Sequence, residues 1–397
     1  MKVAIIGSGI VGLTLALTLT EKNIEVTIFE KEKDSLSHGT GRNSGVIHSG
    51  IYYQPNTLRS NLCIKGAKLM KKFIVDNNLY INNCGKLLLP KTKNDIETLN
   101  LLYERSKEVG VEAQKLNSIE EIIRIEPNCN PLYNDALFIK DTAIADPKEV
   151  SNKLIEILKK RNVIIKYGFK VDEISSENTS INIKGNINKF DFIINSAGLH
   201  ADHLAKKANL DTDYTSLLFK GKYWKINFSD KNEIPNRLIY PVPNLDYPFL
   251  GIHTVYDKAG NFYLGPSNTP VFGREAYKPF YKFNLLEFLN LSYKFILKIF
   301  FNENNLRNLA ISESKNLFLF NVRKSSNVYF KHNPSNIELS SKVGIRSQIF
   351  DKKSKKLFND FVVIKQNNII HILNAISPAW TSSFAMADFI CEKYNFK

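Results

Sequence analysis

The first thirty residues alternate between strand-like apolar runs and a helical segment. Residues Val3–Ile6 form a continuous apolar run, which is typical of a strand buried on both faces. Residues 10–23 are apolar on one side and predict a helix. A second strand is predicted from Ile24 and ends at Glu30. This order predicts a β–α–β unit at the amino terminus.

Two later segments have a related pattern. Residues 190–195 read as a buried strand, and Ser196, Ala197 and Gly198 follow it before a helical pattern. The segment from Leu373 predicts a strand, a loop and a helix in that order. We therefore expect the chain to return twice to the sheet that the amino-terminal unit begins.

Length, composition and charge limit the class of protein. The chain has 397 residues, which predicts two domains or one domain with a large insertion. Hydrophobic residues at 43% and charged residues at 23% are ordinary for a globular protein. The net charge is +15, but the lysines are dispersed and form no basic arm. We therefore expect no nucleic-acid partner.

The cysteine pattern limits the kinds of site that we expect, and the first residues limit the expected cellular location of the protein. Cys63, Cys84, Cys129 and Cys391 are scattered without a CxxC pair, so we expect free thiols and no metal site. The opening MKVAIIGSG starts directly on a predicted strand, so we expect no signal peptide, and no run of about 18 uncharged apolar residues occurs. These features predict a cytoplasmic protein.

A phosphate-binding turn follows the first predicted strand. Gly7, Gly9 and Gly12 have the G-x-G-x-x-G spacing, which permits a tight turn, the approach of a pyrophosphate and close packing of helix against strand. The helix amino terminus favours phosphate charge. Glu30 can accept hydrogen bonds from both ribose hydroxyls. The unit therefore predicts an adenine dinucleotide, which is either NAD or FAD.

The next segment, GTGRNSGVIHSGIYY at residues 39–53, favours FAD. A simple NAD dehydrogenase continues with alternating strands and helices, whereas this chain enters a glycine-rich stretch. Asn43, Ser44 and Gly45 are suited to wrap the pyrophosphate and the ribitol of a flavin, and Arg42 can balance phosphate charge. The sequence marks no cysteine or histidine for covalent attachment of the flavin.

Five motifs together resemble a known family. They are TGRNSGVIHSGIYY, NSAGLHADHLA, IYPVPNLDYPFLGIH, GIRSQ and HILNAISPAWTSS. From Met1 to about Cys391 the chain is similar to the L-2-hydroxyglutarate dehydrogenase/oxidase family of the D-amino-acid-oxidase-like superfamily. It departs from the family pattern at Trp380, where a small residue is usual, and at Lys222, where an acidic residue is common.

The resemblance implies an α/β fold with two parts. One is a glutathione-reductase-type, Rossmann-like FAD-binding domain, and the other is an α+β substrate domain built on a mixed sheet. We expect the discontinuous FAD-binding domain at residues 1–80, 145–210 and 340–397. The substrate domain is expected at residues 81–144 and 211–339.

The resemblance also implies a reaction. It is the FAD-dependent oxidation of (S)-2-hydroxyglutarate to 2-oxoglutarate by hydride transfer from C2 to flavin N5, with electrons passed to a quinone or to oxygen. An alternative is the oxidation of an amino acid or of glycerol 3-phosphate. A non-catalytic or RNA-directed flavoprotein is a further alternative, against which the dispersed lysines argue. The oligomeric state is not predicted.

The motifs and the resemblance together give a set of expected cofactor contacts. These are Gly7, Gly9, Ile10, Val11, Gly12, Glu30, Lys31, Thr40, Arg42, Asn43, Ser44, Gly45, Val171, Ala197, Gly198, Gly344, Ser377, Pro378 and Ala379.

Oxidising a 2-hydroxy acid requires a base for the hydroxyl proton and cations for the carboxylates. His48, in the glycine-rich stretch, and His253, after a strand expected to reach the flavin, are equal candidates for the base. Arg346 is the leading candidate for a carboxylate, because an arginine fork binds a carboxylate at two points. Lys222, Tyr223 and Tyr240 are weaker candidates for the distal carboxylate, and Tyr52 and Tyr53 for lining the pocket.

The other histidines are assigned no chemistry. We expect His371 to be a structural strand residue. The remaining histidines are expected on the surface or in turns, and they are His38, His200, His203 and His332.

Residues 285–301 predict an apolar helix with a narrow polar strip at Glu287, Asn290, Lys294 and Lys298. One interpretation is a helix half-buried in the substrate domain. The other is a helix lying on the cytoplasmic face of a membrane, with Lys294 and Lys298 at anionic headgroups. The side chains that would then enter the lipid are Phe288, Tyr293, Phe295, Phe300 and Phe301. A quinone acceptor would be consistent with the second interpretation.

Overall fold

The computed structural model describes residues 1–245, 247, 249–279, 281–316 and 318–397. The strands are β1 (Lys2–Ile6), β2 (Glu25–Glu30), β3 (Val46–Ile47), β4 (Ile81–Asn82), β5 (Lys86–Leu89), β6 (Ala113–Leu116), β7 (Ala136–Ile139), β8 (Ala143–Ala145), β9 (Ile164–Tyr167), β10 (Glu173–Ser175), β11 (Ser180–Ile183), β12 (Asn186–Lys189), β13 (Phe192–Asn195), β14 (Tyr214–Asn227), β15 (Leu238–Pro241), β16 (His253–Tyr256), β17 (Phe262–Gly265), β18 (Thr269–Pro270), β19 (Asn336–Asp351), β20 (Lys356–Leu357), β21 (Val363–Gln366) and β22 (Ile369–Ile372). The helices are α1 (Ile10–Thr20), α2 (Leu58–Asp76), α3 (Asp95–Val109), α4 (Ile119–Ile125), α5 (Pro147–Lys160), α6 (Ala201–Lys207), α7 (Leu285–Phe300), α8 (Leu306–Lys315), α9 (Leu319–Ser326) and α10 (Ala379–Lys393).

The amino-terminal strand lies inside a six-stranded sheet with the order β21–β22–β13–β1–β2–β9. The pairs from β22 to β9 are parallel, and β21 is antiparallel to β22. The apolar run of β1 has no alternation because both of its faces are covered. Val3 and Ile5 pack in the cluster that contains α1, α5 and α10, whereas Ala4 and Ile6 pack against the β10–β12 side.

The expected α/β fold is confirmed, and so is the amino-terminal β–α–β unit. The first predicted return of the chain is strand β13, and the second is β22. The second strand ends at Ile372, so the strand predicted to begin at Leu373 was placed too late. Residues after Ile372 form a loop that leads into α10 at Ala379.

A second group of sheets is built around two long strands. β14 and β19 pair antiparallel over nearly their whole length, in a sheet with the order β16–β17–β14–β19–β20, and β15, β5, β7 and β6 form a neighbouring four-stranded sheet. The predicted domain boundary at residue 340 lies inside β19, which continues this second sheet to Asp351. The division of the chain into domains remains a prediction.

Helices α2 and α10 approach each other closely beside the main sheet. A Cβ atom on Gly66 of α2 would lie 2.7 Å from the Cα atom of Ser382 in α10. The absence of a side chain at Gly66 therefore lets the two helices touch, which fixes the amino terminus of α10 beside the glycine-rich segment.

Helix α7 has an orientation that the polar strip did not predict. Leu291 and Phe295 are buried, whereas Leu286, Tyr293 and Phe300 are 78%, 66% and 69% exposed. Two residues of the strip face the protein, since Glu287 pairs with Arg274 and Lys298 lies over the Phe350 ring, whereas Asn290 is exposed. In the part of the chain that the structure describes, no helix is both long and apolar enough to cross a membrane.

Candidate active site

A cavity of about 1340 Å³ extends from the main sheet to the β14–β19 sheet. We call the part near Gly9 and Glu30 the glycine end. We call the part near His48, His253 and Arg346 the imidazole end. The two ends share the glycine-rich segment 39–53 but differ in their other elements and in their polar groups.

The glycine end is shaped by the turn between β1 and α1. Gly7 has φ +100°, and a Cβ atom there would lie 2.7 Å from the carbonyl oxygen of Ser196. A Cβ atom on Gly12 would overlap the carbonyl oxygen of Gly7. Gly9 precedes α1 and lines the cavity, and a Cβ atom on it would lie 3.2 Å from Thr40 Oγ1. The turn therefore leaves the helix amino terminus open to an anionic ligand.

The carboxylate of Glu30 is held in place at the end of β2. One of its oxygens accepts hydrogen bonds from the backbone N–H and the hydroxyl of Ser8 at 2.9 and 3.0 Å, and the other accepts from the N–H of Glu32 at 3.0 Å. Thr40 Oγ1 accepts from the N–H of Ile10 at 2.9 Å. The acid expected to meet the ribose is thus oriented by the phosphate-binding turn itself.

The glycine-rich segment is stabilised by its own side chains. Asn43 Nδ2 donates to the carbonyl oxygen of Thr40 at 2.7 Å, and its Oδ1 accepts from the N–H of Gly45 at 2.7 Å. Arg42 donates through Nε to Ser37 O at 2.6 Å and through Nη1 to Val343 O at 3.2 Å. These partners are neutral carbonyls, so the positive charge of Arg42 remains available to a phosphate beside the cavity.

The carboxy-terminal helix meets this segment at the cavity. The N–H of His48 donates to Thr381 Oγ1 at 3.0 Å. Ser377, Pro378 and Trp380 line the cavity just before and within the first turn of α10. The indole Nε1 of Trp380 is buried and has no hydrogen-bond partner among the described residues. This departure from the family pattern therefore lies in the cavity wall.

The glycine end fits a bound dinucleotide on three counts. A Cβ atom would fill the turn at Gly7 and Gly12, a fixed carboxylate stands at the end of the second strand, and a helix amino terminus faces the cavity. The glycine-rich segment 39–53 forms a second wall that extends the cavity from the glycine end toward the imidazole end. A cofactor longer than a mononucleotide needs a cavity of this extent.

A group of charged side chains joins the glycine end to the segment after β18. This polar cluster consists of Lys31, Glu32, His38, Glu275 and Lys282, which all line the cavity. Lys282 pairs with Glu32 at 3.0 Å and with Glu275 at 2.7 Å, and Lys31 also contacts both carboxylates. Despite burial, the hydrogen bonds from Lys282, Lys31 and His38 lower the pKa of Glu32 to about 2. The ammonium groups of Lys31 and Lys282 therefore balance the charge of the carboxylates of Glu32 and Glu275.

Two histidines stand at the imidazole end in different states. His253 Nδ1 lies 2.6 Å from the carbonyl oxygen of Gly251, which can only accept, so Nδ1 carries the proton and Nε2 carries the lone pair. Burial lowers the pKa of His253 to about 3, and Lys86 and Arg346 add to the effect. Burial also lowers the pKa of His48, but its Nδ1 has no partner among the described residues.

Two arginines provide positive charge at the imidazole end. The Arg346 guanidinium lies 5.0 Å from the centroid of the Phe249 ring, and no described residue accepts a hydrogen bond from it. Arg59 was not identified from the sequence. It lines the cavity 4.3 Å from the Tyr53 ring and donates to the carbonyl oxygens of Asn359 and Ser377. Neither arginine forms an ion pair with a described carboxylate, so both can attract an anion.

Lys86, at the start of β5, is a second residue that the sequence analysis missed. It is fully buried, and its Nζ has no hydrogen-bond partner in the described chain. Burial lowers the pKa of Lys86 to about 7. The available signal was a lysine at the head of the apolar run Lys86–Leu89, where a charged residue is costly unless it has a role.

The cavity gathers most of the predicted site. His48, His253, Arg346 and Tyr52 line it. So do the following predicted cofactor contacts: Gly7, Gly9, Ile10, Val11, Glu30, Lys31, Thr40, Arg42, Asn43, Ser44, Val171, Ala197, Gly198, Gly344, Ser377, Pro378 and Ala379. Their roles remain predictions.

Four predicted site residues do not line the cavity. Gly12 and Gly45 shape its wall, since a Cβ atom on Gly45 would overlap the carbonyl oxygen of Ala145. Tyr240 lies one layer back, stacked on His253 with 3.9 Å between ring centroids. Lys222 is not brought to the cavity, because its neighbours Gly221 and Tyr223 take the cavity face of β14 and alternation turns Lys222 away.

The remaining histidines divide into two groups. His371 is buried and bonded to Asn195 at 3.1 Å, as expected of a structural residue, and His332 is exposed. His38, His200 and His203 line the cavity. His203 is exposed, as expected, whereas His38 and His200 lie in turns, are only partly exposed and contact Glu275 of the segment after β18.

Comparison with known proteins gives consistent similarities. The family described as "DAO: FAD dependent oxidoreductase" matches residues 2–393. The chain is 32% identical to L-2-hydroxyglutarate dehydrogenase of Indibacter alkaliphilus over 98% of both chains. It is 30% identical to the human mitochondrial L-2-hydroxyglutarate dehydrogenase, over 98% of this chain and 88% of the human one.

Solved structures share the fold at lower identity. The FAD-bound L-α-glycerophosphate oxidase of Mycoplasma pneumoniae superimposes with a TM-score of 0.74 at 21% identity, over 100% of this chain and 95% of the oxidase. L-proline dehydrogenase from P. horikoshii superimposes with a TM-score of 0.70 at 16% identity, over 98% and 92% of the two chains.

Proposed function

The chain belongs to the DAO family of FAD-dependent oxidoreductases, and we propose on that premise that it oxidises L-2-hydroxyglutarate, the (S) enantiomer, to 2-oxoglutarate. The observation that supports this substrate is the imidazole end of the cavity. It combines a histidine with a fixed tautomer and an arginine without an anionic partner among the described residues. A hydroxy acid presents the two groups that these side chains complement.

The chain itself must hold FAD, and we propose which residues do so. Gly9 and the first turn of α1 would meet the pyrophosphate, Glu30 the adenosine ribose, and Arg42 the phosphate charge. Asn43 would hold the glycine-rich wall in the shape that the cofactor needs, through its bonds to Thr40 and Gly45. When bound, the flavin accepts the hydride from C2 of the substrate.

Arg346 is proposed to bind the carboxylate next to the reacting carbon. Its guanidinium is partly open to the cavity, and no carboxylate of the described chain pairs with it. Burial lowers its pKa, while Tyr223 and Glu313 act in the opposite direction. An anion that enters the cavity therefore gains a charge-assisted, two-point contact that replaces lost solvent.

His253 is proposed to accept the hydroxyl proton. The bond from Nδ1 to Gly251 fixes the lone pair on Nε2, which is the state that a general base needs. Burial is the main cause of the low pKa of His253, and the charges of Lys86 and Arg346 lower this pKa further. A carboxylate bound at Arg346 would offset the contribution of these charges and so raise the basicity of His253 when substrate is present. His48 lacks such an orienting bond at Nδ1 within the described chain.

Anaerobic mixing of the purified holoenzyme with each enantiomer of 2-hydroxyglutarate tests the function. The (S) enantiomer should bleach the flavin absorbance and yield one 2-oxoglutarate per flavin, and the (R) enantiomer should not. Amino acids and glycerol 3-phosphate serve as comparison substrates. Bleaching by either of these, with none by (S)-2-hydroxyglutarate, would refute the proposed substrate.

The electron acceptor is proposed to be a quinone reached from a membrane surface. Helix α7 turns Tyr293 and Phe300 outward, and its Leu286, Asn290 and Lys294 line the cavity. The exposed apolar face is thus adjacent to the cavity, as a lipid-borne acceptor would require. Lys298 is paired with Glu303, so the predicted headgroup role of this lysine is not supported.

Cosedimentation with phosphatidylcholine–phosphatidylglycerol vesicles tests this contact. The holoenzyme should bind, and the double variant Tyr293→Glu/Phe300→Glu should remain in the supernatant. Val75→Glu is the matched control, since Val75 is an exposed apolar residue on α2. Dimerisation that the double variant abolishes, without vesicle binding by the parent protein, would assign the face to a second copy instead.

A further inference from the structure

The imidazole end contains an unusual group of buried polar atoms. Lys86 Nζ, Tyr52 Oη, Tyr240 Oη and His48 Nδ1 are all buried without a hydrogen-bond partner among the described residues. Native proteins seldom leave buried polar atoms without a hydrogen-bond partner, so each such atom needs an explanation, for example a bound ligand. Such atoms also occur elsewhere in the described chain, but these four lie close to one another at the imidazole end, where one polar ligand could pair with them.

The four side chains belong to one neighbourhood. Lys86 Nζ lies 4.2 Å from the centroid of the Tyr52 ring and 5.1 Å from that of Tyr240. The Tyr240 ring stacks on His253 at 3.9 Å. Tyr52 lines the cavity, so the ammonium group lies one ring behind the wall of the imidazole end.

The charge of Lys86 is uncompensated by any acid of the described chain. No ion pair among the described residues includes it, and the two tyrosine rings supply only cation–π contacts. The flanking hydroxyls can donate hydrogen bonds, and burial raises the pKa of both tyrosines, so they remain protonated. Two neutral donors beside an ammonium form a receptor for an anion.

Arg346 provides a separate positive group. Both Lys86 and Arg346 act on the charge of His253, so this imidazole lies within range of two cations that have no carboxylate partner in the described chain. A monocarboxylic acid could satisfy one of them. A short-chain acid with a carboxylate at each end could satisfy both while its reacting carbon stays near the imidazoles.

We propose that Lys86, with the hydroxyls of Tyr52 and Tyr240, binds the carboxylate remote from the reacting carbon and so selects dicarboxylic acids. The inference rests on the proposed function, which gives the substrate two carboxylates and Arg346 the first of them. It moves the distal site from Lys222, whose side chain turns away on β14, to Lys86, which lies behind the Tyr52 ring, so this ring must turn aside for the carboxylate to reach the ammonium group.

A binding titration of the holoenzyme tests the inference without turnover. The ligands are glutarate and its monoamide, which have the same shape but differ by one charge, and the readout is the perturbation of flavin absorbance. The parent protein should bind glutarate at least about tenfold more tightly than the monoamide, and Lys86→Met should reduce that ratio to about one. Lys71→Met, at a partly buried lysine outside the cavity, should keep the ratio.

The outcomes separate the inference from the function. A Lys86→Met protein that loses as much affinity for the monoamide as for glutarate, and so keeps the preference for glutarate, overturns the inference. A parent protein that prefers glutarate yet is not reduced by (S)-2-hydroxyglutarate retains the inference and refutes the substrate. If Lys86→Met does not fold, the double variant Tyr52→Phe/Tyr240→Phe removes only the two hydroxyls and should lower the same ratio.

Discussion

The two ends of the cavity contrast in how their polar groups are satisfied. At the glycine end, Glu30, Thr40 and Asn43 all have hydrogen-bond partners within the chain. At the imidazole end, Lys86 and Tyr240 are buried and have none among the described residues. The glycine end is therefore complete before a ligand arrives, whereas we propose that a ligand completes the imidazole end.

This contrast has an energetic consequence. A satisfied polar group contributes modestly to the stability of the folded chain, whereas a buried unpaired cation lowers it. Mutations that remove hydrogen bonds at the glycine end should therefore lower both cofactor binding and the stability of the folded protein. At the imidazole end, stability and ligand binding should change in opposite directions.

The largest effect is expected for Gly12→Ala. The new Cβ atom would overlap the carbonyl oxygen of Gly7 and displace α1 from the phosphate-binding turn, so the purified protein should contain little or no flavin. Thr18→Ala is the control, because Thr18 lies on the same helix and does not line the cavity. The ratio of flavin absorbance to protein absorbance measures flavin content, and equal flavin in both variants would show that the turn is not a rigid frame.

Replacement of His253 by asparagine should have the next largest effect. Loss of the proposed base should reduce the rate constant of flavin reduction by roughly 100-fold or more, with flavin content unchanged. His48→Asn should reduce it less, because His48 Nδ1 has no described bond that orients its lone pair. Stopped-flow reduction by (S)-2-hydroxyglutarate gives both values, and a larger loss for His48→Asn would reassign the base.

Arg346→Met should weaken substrate binding more than it slows the chemistry. Removal of a two-point carboxylate contact should reduce kcat/KM by about 100-fold. Lys222→Met should change kcat/KM by less than about threefold, because Lys222 does not line the cavity. A steady-state assay with a dye acceptor compares the two variants, and similar losses would restore Lys222 to the site.

Lys86→Met should stabilise the protein, most strongly at low pH. The pKa of this lysine is about 7 in the folded chain against an ordinary value of 10.5. Folding therefore releases a proton between these values, and the cost of the buried charge is complete below pH 7 and fades as pH rises toward 10.5. The gain in unfolding free energy should be a few kcal/mol, on the order of 4, at about pH 6 and smaller at about pH 9.5.

Denaturant unfolding of flavin-free protein at both pH values measures this gain. A variant that is less stable than the parent at the lower pH would show that Lys86 has a structural partner. The combination of a more stable fold with a lost preference for glutarate is the outcome that an unfinished binding site predicts.

The glycine end was predictable because its determinants are local. Strand, G-x-G-x-x-G turn, helix and Glu30 occupy the first thirty residues, and each has a backbone requirement that the residue type reveals. The glycine-rich stretch extended this to Arg42 and Asn43, and the family resemblance extended it to Ser377. The fold followed from the same units, except that β22 ends before Leu373 and β19 crosses the predicted boundary at residue 340.

The imidazole end was only partly predictable because distant segments assemble it. Lys86, Arg59 and His253 come from a strand of one sheet, a helix and a strand of another sheet. Arg59 has no motif around it. Lys222 was predicted to be a site residue because of the sequence around it. The face of β14 on which its side chain lies is set by strand alternation and by the register of the β14–β19 pairing.

The polar cluster has a consequence for the order of assembly. Glu275 and Lys282, which follow β18, pair with Lys31 and Glu32, which follow β2, beside the cavity. Dissolved ions weaken such pairs. Because these ion pairs lie beside the cavity, we expect them to form after the cofactor has bound. A higher salt concentration should weaken the ion pairs and so speed the exchange of bound flavin.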